Sequence, residues 1–345
     1  MPEGPWSCVH DWPDVFWQEV EVKLSVMIPV YNVREYLGDC IDSLNVAMEY
    51  AGCANEVETV FVDDGSTDGS SGFLDDLACR HAWMRVFHCQ NCGVAAARNF
   101  ALGKVCGEYL TWVDPDDMVE VDYFRVLLQA FAGRPDAVVF DYSSKPGGVR
   151  HYRDVCGTLP AEIVWRDIVR DERIKSFLWS KAVRRELVPL PLFNETYAVM
   201  SDFEAMGRLF RQVKTVEYVW NPIYIYRQRT GSIVNQPVPD RMIQMFRVSL
   251  KRLKEVSEDC HADALSCAMY HAYHYCHMAA KFPAAGWNEG GRLDECRHYI
   301  RRYLLVGIAD SRNGFVRKAQ FLIAALGLMR VAVFVRRFMP GGRAY

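Results

Sequence analysis

Two kinds of apolar pattern alternate along the first 142 residues. Short apolar runs rich in β-branched residues, such as LSVMIPV at 24–30, predict buried strands. Apolar residues at helical spacing, such as Leu37, Cys40, Ile41 and Leu44, predict a helix between two of these runs. Further strands are predicted at 57–62, 84–89, 108–114 and 136–142, and further helices at 73–81, from 93 onward and at 119–132.

Strands that alternate with helices through short turns predict an α/β fold. The sheet is expected to be mostly parallel, with helices on both faces. Ligands of such sheets bind outside the carboxyl ends of the strands. The residues that follow the strands are therefore the first candidates for a site.

The alternation weakens after about residue 143. The segment IKSFLWSKAVRREL is predicted to be helical, SDFEAMGRLFRQV has helical spacing, and TVEYVW and IYIYRQR are typical of strands. From Asp240 onward the pattern is helical. We therefore divide the chain into an N-terminal extension 1–21, an α/β domain 22–235 and a helical region 236–345.

Composition narrows the function classes. The 345 residues carry 40 basic and 43 acidic side chains, a net charge of −3, so no overall positive field favours nucleic acid as a partner. The first 20 residues lack the basic and apolar regions of a secretory signal, so we expect a cytoplasmic protein with reduced cysteines. Cys89 and Cys92 form one CxxC pair without a second, which favours simple packing over a metal or redox site.

Acidic residues follow two of the predicted strands. Asp63 and Asp64 end one strand, and Asp114, Asp116 and Asp117 end another. The carboxyl ends of parallel strands meet at one edge, so both clusters are expected there. One acid of the first pair is expected to bind a nucleoside and the other to order the turn at 65–67, although a plain Asp-Gly turn is the alternative.

The second cluster is suited to a divalent cation. Neither GxGxxG nor GxxxxGK[ST] occurs in the chain, so a bound diphosphate would need another source of positive charge. Carboxylates that hold Mg²⁺ or Mn²⁺ supply it, because these ions bridge to phosphate oxygens. An acidic turn in which Asp117 caps the next helix is the alternative.

Several segments together carry a family resemblance. SVMIPVYN, VFVDDGSTDGS, NCGVAAARN and TWVDPDDM, followed by WSKAVRREL, SDFEAMGRLF and YIYRQRTGSI, resemble the family 2 glycosyltransferases of the GT-A fold over residues 22–235. The resemblance implies an inverting hexosyltransferase that uses a nucleotide-diphosphate sugar, with UDP as the expected nucleotide, and Mn²⁺ or Mg²⁺ as cofactor. Many relatives act on glycans or lipid-linked acceptors in cell-surface polysaccharide biosynthesis.

The resemblance also implies roles for individual residues. Asp116 and Asp114 match the DxD acids, with Asp116 the first choice for the metal. Asp202 matches the general base, although Ser201 stands where the family usually has Glu. Residues expected near the nucleotide sugar are Pro29, Val30, Tyr31, Asp63, Asp64, Arg98, Asp114, Arg227 and Arg229.

The last 30 residues are basic and apolar, with no acid. The apolar stretch is too short and interrupted for a membrane span of ~20 residues. A helix at 316–339 that lies on the inner face of the cell membrane is expected, and a helix packed on the catalytic domain is the alternative.

The sequence disfavours one other function and leaves a second one open. A phosphohydrolase would need its DxD acids on the first strand, whereas these follow a later one. A non-catalytic module that binds a sugar nucleotide is the non-enzyme alternative, because of Ser201 before the expected base.

Overall fold

The structure is a computed structural model that describes residues 6–8, 21–148, 158–197, 199–228, 238–256, 258–282 and 286–336. The chain forms two compact units. The first comprises residues 1–168 and 172–229, and the second comprises residues 169–171 and 230–345.

The first unit is built on one mixed sheet. Its strands in chain order are β1 Trp6–Cys8, β2 Leu24–Val30, β3 Val57–Asp63, β4 Met84–Cys89, β5 Tyr109–Trp112, β6 Met118–Val119, β7 Ala137–Ser143, β8 Leu159–Pro160, β9 Lys181–Arg184 and β10 Thr215–Ile225. The order across the sheet is β1-β4-β3-β2-β5-β9-β7-β10-β6, and β8 pairs with β10. Strands β4, β3, β2 and β5 are parallel neighbours, and β7 and β10 are parallel too, which confirms the predicted mostly parallel α/β sheet.

Helices of the first unit form where the apolar spacing predicts them, except at 161–170, where the sequence analysis predicted no helix. They are α1 Arg34–Ala51, α2 Ser70–Ala78, α3 Val94–Leu102, α4 Tyr123–Phe131, α5 Ala161–Arg170 and α6 Ser201–Leu209. The predicted stripe of α1 is buried at Leu37, Cys40, Ile41 and Leu44. Strand β2 is buried along almost its whole length, which places it at the centre of the core.

Three local predictions are wrong. The segment 174–187 is not helical, because it contains two 3₁₀ turns, Leu178–Ser180 and Arg185–Leu187, around strand β9. This strand lies antiparallel between β5 and β7, so its pairing with distant residues overrides the local helical pattern. The two strands predicted between 215 and 229 are a single strand, β10, with register shifts near Pro222.

The second unit is helical, as predicted. Its helices are α7 Pro239–Glu255, α8 Glu258–Lys281, α9 Arg292–Ala309, α10 Phe315–Ala325 and α11 Met329–Arg336. The third wrong prediction falls here, since the expected single helix at 316–339 is divided into α10 and α11 by Gly327, which has φ +75°. Within the described ranges, no helix has the length and apolar character needed to cross a bilayer.

Candidate functional site

The two acid clusters lie at the same edge of the sheet. Strand β2 pairs in parallel with β3 on one side and β5 on the other, with Val30 opposite Asp63 and Met27 opposite Trp112. The backbone N–H of Asp64 donates to the carbonyl of Val30 at 2.8 Å. The clusters therefore flank the carboxyl end of β2, which confirms the prediction that they share one edge.

Asp63 orders the turn that follows β3. Its carboxylate accepts hydrogen bonds from the Ser66 N–H at 3.1 Å and the Ser71 hydroxyl at 2.6 Å, and it contacts His88 Nδ1 at 2.8 Å. Burial opposes its ionisation, but the bonds from His88, Ser66 and Ser71 outweigh burial and lower the pKa of Asp63 to about 2. Asp63 is thus a positioning residue for the turn.

Asp64 is held by the chain that enters α3. Its Oδ1 accepts from the Cys92 N–H at 2.7 Å and its Oδ2 from the Gly93 N–H at 2.9 Å. The turn approaches this chain closely at Gly65, where a Cβ would lie 2.8 Å from the Asn91 nitrogen and where φ is +75°. Both facts require glycine at position 65.

A third set of polar residues links the loop after β2 to the same turn. Asn32, with φ 51°, accepts the Thr67 N–H at 2.8 Å, and Asp68 accepts the Arg34 N–H at 2.8 Å at the start of α1. Sequence reasoning missed Asn32 and Asp68. The signal was present, since Asn tolerates a left-handed conformation and Asp in a turn commonly accepts hydrogen bonds from nearby backbone N–H groups. Tyr31, next to Asn32, is half exposed.

The acid loop after β5, residues 114–117, is anchored through Asp117. This buried carboxylate accepts the Tyr224 hydroxyl at 2.7 Å and the Arg227 N–H at 2.7 Å. Burial and the nearby charge of Asp114 raise the pKa of Asp117 to about 8, against these hydrogen bonds. The alternative in which Asp117 caps the next helix is wrong, because α4 begins only at Tyr123.

Asp114 and Asp116 are the partly exposed acids of this loop. Within the described residues, neither belongs to a group of three metal-ligating side chains. Two accessible carboxylates without a third protein ligand fit Mg²⁺ or Mn²⁺, because such ions in phosphate sites take most of their ligands from phosphate and water. The residues present therefore fit the predicted cofactor.

Two arginines lie beside the acid loop. Arg98 of α3 places its Nη2 3.7 Å from Asp114 Oδ1, and its guanidinium lies 5.5 Å from the ring centroid of Phe193. Arg227 donates to Asp39 at 2.7 Å. Arg229, the other predicted arginine, is outside the described residues.

Asp202 lies in the first turn of α6 and is partly exposed. Its Oδ1 accepts the Phe203 N–H at 2.8 Å, as an acid at a helix N-terminus commonly does. Glu204 is buried and paired with Arg208 at 3.2 Å, so it is engaged elsewhere. The carboxylate at 202 remains the candidate base of this helix.

Asn99 connects α3 to the segment that leads toward α6. Its side chain accepts the N–H groups of Leu192 and Phe193 at 3.1 and 2.9 Å. It also donates to the Phe193 carbonyl at 2.8 Å and to Glu195 at 2.9 Å. The sequence analysis assigned Arg98 to the site but did not single out Asn99, which follows it in the ARN block. An amide side chain next to a charged residue was the available signal.

Residues 25–182 match the model of the family described as glycosyl transferase family 2. The chain is similar to the putative glycosyltransferase EpsH of Bacillus subtilis (strain 168), at 28% identity over 229 residues. That match covers 62% of this chain and 63% of EpsH, so the chain spans less than two thirds of that relative's length.

Two solved structures share the fold. The crystal structure of S. aureus TarS 1-349 in complex with UDP-GlcNAc superposes with a TM-score of 0.65 at 17% identity, covering 91% of this chain and 92% of that one. The mannosyltransferase PcManGT from Pyrobaculum calidifontis, in complex with GDP-Man and Mn²⁺, gives a TM-score of 0.55 at 14% identity, covering 95% and 94%. At these identities the likeness concerns the fold.

Proposed function

The chain belongs to glycosyl transferase family 2 through residues 25–182, and from that premise we propose that it is a metal-dependent inverting glycosyltransferase. It moves a sugar from a nucleotide-diphosphate sugar to a hydroxyl of a glycan or lipid-linked acceptor in cell-surface polysaccharide biosynthesis. The observation that carries the proposal is the single edge at which both acid clusters flank the end of β2.

The nucleoside is assigned to the first cluster and to the end of β2. Pro29, Val30 and Tyr31 supply the end of β2, and Asp64 the carboxylate. Asp63 is engaged by its own turn and acts by holding that turn in place. UDP is the proposed nucleotide, and the UDP-GlcNAc complex of TarS supports this choice.

The diphosphate is assigned to the second cluster. Asp114 and Asp116 would hold Mn²⁺ or Mg²⁺, which when bound neutralises charge on the leaving diphosphate. Arg98 and Arg227, with Arg229, add positive charge beside it. The Mn²⁺ complex of PcManGT supports a divalent cation in this fold.

Asp202 is the proposed general base. It takes the proton of the acceptor hydroxyl while that oxygen attacks the anomeric carbon and the bond to the diphosphate breaks on the opposite side. Displacement in line with the leaving group inverts the anomeric configuration. The carboxylate has to be accessible to do this, and its partial exposure supports the assignment.

A peripheral position on the inner face of the cell membrane is proposed for the second unit. Helices α10 and α11 expose large apolar side chains, among them Phe315 at 86% and Phe334 at 61%. Arg317, Lys318 and Arg330 lie on the same helices, and no acid follows Asp310. Exposed apolar residues among basic ones favour an anionic bilayer surface.

Donor binding and turnover test the proposal together. A thermal-shift screen of UDP-sugars and other nucleotide sugars with Mn²⁺ should show one donor that stabilises the protein, by about 2.7 kcal/mol at 100 times its Kd. With that donor, the protein should release the nucleoside diphosphate slowly when water is the acceptor and faster when the sugar acceptor is present. Chelation should abolish release, and Asp116→Ala should lose both metal and nucleotide affinity. Full activity in excess EDTA would contradict the metal assignment.

A non-catalytic module that binds a sugar nucleotide is the second candidate function, favoured by Ser201 before the expected base. Such a module would bind the donor and be stabilised by it. It would release no UDP to water above the rate of the free donor. Binding without hydrolysis would therefore decide for the module.

A further inference from the structure

Three potential metal ligands converge where β4 meets the chain leading into α3. Cys89 Sγ and Cys92 Sγ lie 3.5 Å apart, and Asp64 Oδ1 lies 3.3 Å from the first and 3.2 Å from the second. The described residues contain no other group of three such side chains whose ligand atoms lie within 4.8 Å of one another.

The triangle of ligand atoms has the size that one ion requires. An ion with metal–sulfur bonds of about 2.3 Å and a metal–oxygen bond of about 2.1 Å, in tetrahedral geometry, separates two sulfurs by about 3.8 Å and sulfur from oxygen by about 3.6 Å. The observed separations are slightly shorter, by a few tenths of an ångström. A small outward movement of the two thiols is enough to admit the ion.

We propose that Asp64, Cys89 and Cys92 form a site for a thiophilic divalent cation, with Zn²⁺ as the ion of choice. Asp64 and Cys89 are buried, whereas Cys92 is exposed, so the ion can enter from the side of Cys92. A water molecule completes the fourth position on that exposed side. The backbone donors to Asp64 from Cys92 and Gly93 fix the carboxylate in place before the metal arrives.

The charge of the site supports this assignment. Without metal, one carboxylate and two neutral thiols carry a charge of −1. When Zn²⁺ binds, both thiols release their protons, and one ion with two thiolates and one carboxylate again carries −1. Metal binding at this partly buried place therefore adds no net charge.

The ligand types distinguish this site from the acid loop. Thiolates select Zn²⁺ and other soft ions, whereas Asp114 and Asp116 offer only carboxylate oxygens, which suit Mg²⁺ and Mn²⁺. The two sites should therefore fill independently, and millimolar Mg²⁺ should not displace Zn²⁺ from the thiols.

One consequence rests on the proposed function. If Asp64 contacts the nucleoside, an ion that takes up its Oδ1 competes with the nucleotide. Zn²⁺ at the thiol site should then weaken UDP binding, although the metal site itself does not depend on this.

Metal titrations of the reduced, chelator-treated full chain test the proposal. We expect one Zn²⁺ per chain by competition with a chromophoric chelator, and Co²⁺ should give a thiolate-to-metal charge-transfer band. Cys89→Ser and Cys92→Ser should each lower Zn²⁺ affinity at least tenfold and weaken the band, because each leaves one thiolate. Cys79→Ser, at an exposed cysteine outside the cluster, is the matched control and should change neither.

Besides the absence of any Zn²⁺ uptake, two results would overturn the proposal. One is equal Zn²⁺ affinity in the wild type and both serine variants. The other result combines two observations. The wild type loses two free thiols in air and regains them with a reductant, whereas both serine variants show no such loss. The reduced wild type also takes up no Zn²⁺. That second pattern would identify the pair as a disulfide.

UDP binding, measured in the same samples with and without Zn²⁺, separates this inference from the proposed function. Zn²⁺ uptake by a protein that binds no nucleotide sugar would leave the metal site standing and reject the proposed function. Nucleotide binding without Zn²⁺ uptake would reject the metal site and leave the proposed function standing. Uptake of both without mutual competition would reject only the link through Asp64.

Discussion

Asp63 and Asp64 end one strand, where two adjacent carboxylates would each raise the cost of ionising the other. Each carboxylate has its own set of hydrogen-bond donors. Ser66, Ser71 and His88 serve Asp63, whereas the N–H groups of Cys92 and Gly93 serve Asp64. The sequence predicted that one acid would order the turn, but it could not show which, because several donors come from the neighbouring strand and from the approach to α3.

The role of Asp202 can be tested with a substitution that preserves its local hydrogen bond. Asn at 202 can still accept the Phe203 N–H, so the start of α6 should be kept. It cannot take a proton, so turnover should fall by about 10² to 10⁴. Steady-state kinetics, donor affinity and melting temperature should be compared with those of the wild type.

Glu204→Gln is the control for this experiment. It removes a carboxylate from the same helix, where it is paired with Arg208, and should affect stability more than chemistry. Near-normal turnover of Asp202→Asn would show that Asp202 is only a helix-terminal acid. An unfolded variant would assign it a structural role.

At the scale of elements, the sequence predicted best where the local apolar pattern alone determines the element. Strands β2 and β4 have the bounds that their apolar runs indicate. Strand β9 was missed because its four residues are set by pairing with β5 and β7 and not by a local pattern. Its buried Lys181 donates to the Phe177 carbonyl at 2.8 Å, a contact that no periodicity predicts.

Asn99 is expected to set the position of the segment ahead of α6. Asn99→Ala leaves the buried N–H groups of Leu192 and Phe193 without their acceptor, which should cost about 1–3 kcal/mol for each unsatisfied group. Chemical denaturation measures this loss. Asn45→Ala, at a partly exposed asparagine of α1 bonded to Glu49, is the control and should be near neutral. Equal stability of the two variants would contradict the role of Asn99.

A charged network between Arg170, which lies in the 169–171 segment of the second unit, and the chain after α9 should make this unit sensitive to acid. Asp310 lies 3.2 Å from Arg170 and 3.0 Å from Arg312. Burial opposes its ionisation, but the bonds from Arg312 and Arg170 prevail and lower the pKa of Asp310 to about 2. Its contribution to stability is therefore present above pH ~4 and is lost as the pH falls toward 2.

Asp310→Asn should lower the melting temperature at pH 7, by about 2–4 °C for each kcal/mol lost. The difference from the wild type should shrink between pH 4 and 2, because the wild type loses the same interaction there. Melting curves across this range check the sign. Asp294→Asn, at an exposed acid of α9, should show no such convergence, and a constant difference for Asp310→Asn would contradict the assignment.

At the scale of the whole molecule, the exposed apolar residues of α10 and α11 should decide membrane association. Buried Phe321 and Ala324 hold α10 in the core, so exposed positions are the ones to change. Phe315→Glu combined with Phe334→Glu should reduce binding to anionic vesicles at least tenfold, since each buried Phe contributes about 1.5–3 kcal/mol. Vesicle sedimentation at low and high salt measures this.

Trp220→Glu, at a residue of the first unit that is 61% exposed, is the matched control for that experiment. It should leave vesicle binding unchanged. Binding that ignores both the double substitution and raised salt would rule out the membrane role, because an interfacial basic helix depends on both.

The hydroxyl of Tyr224 that anchors Asp117 comes 107 residues later in the chain. A nascent chain therefore carries both acid clusters long before it carries the residue that fixes the second one. A fragment that ends at residue 182, where the family match ends, would contain Asp114 and Asp116 and still lack Tyr224. Because closing so long a loop is slow, we expect the acid loop 114–117 to be among the last parts of the protein to form during refolding.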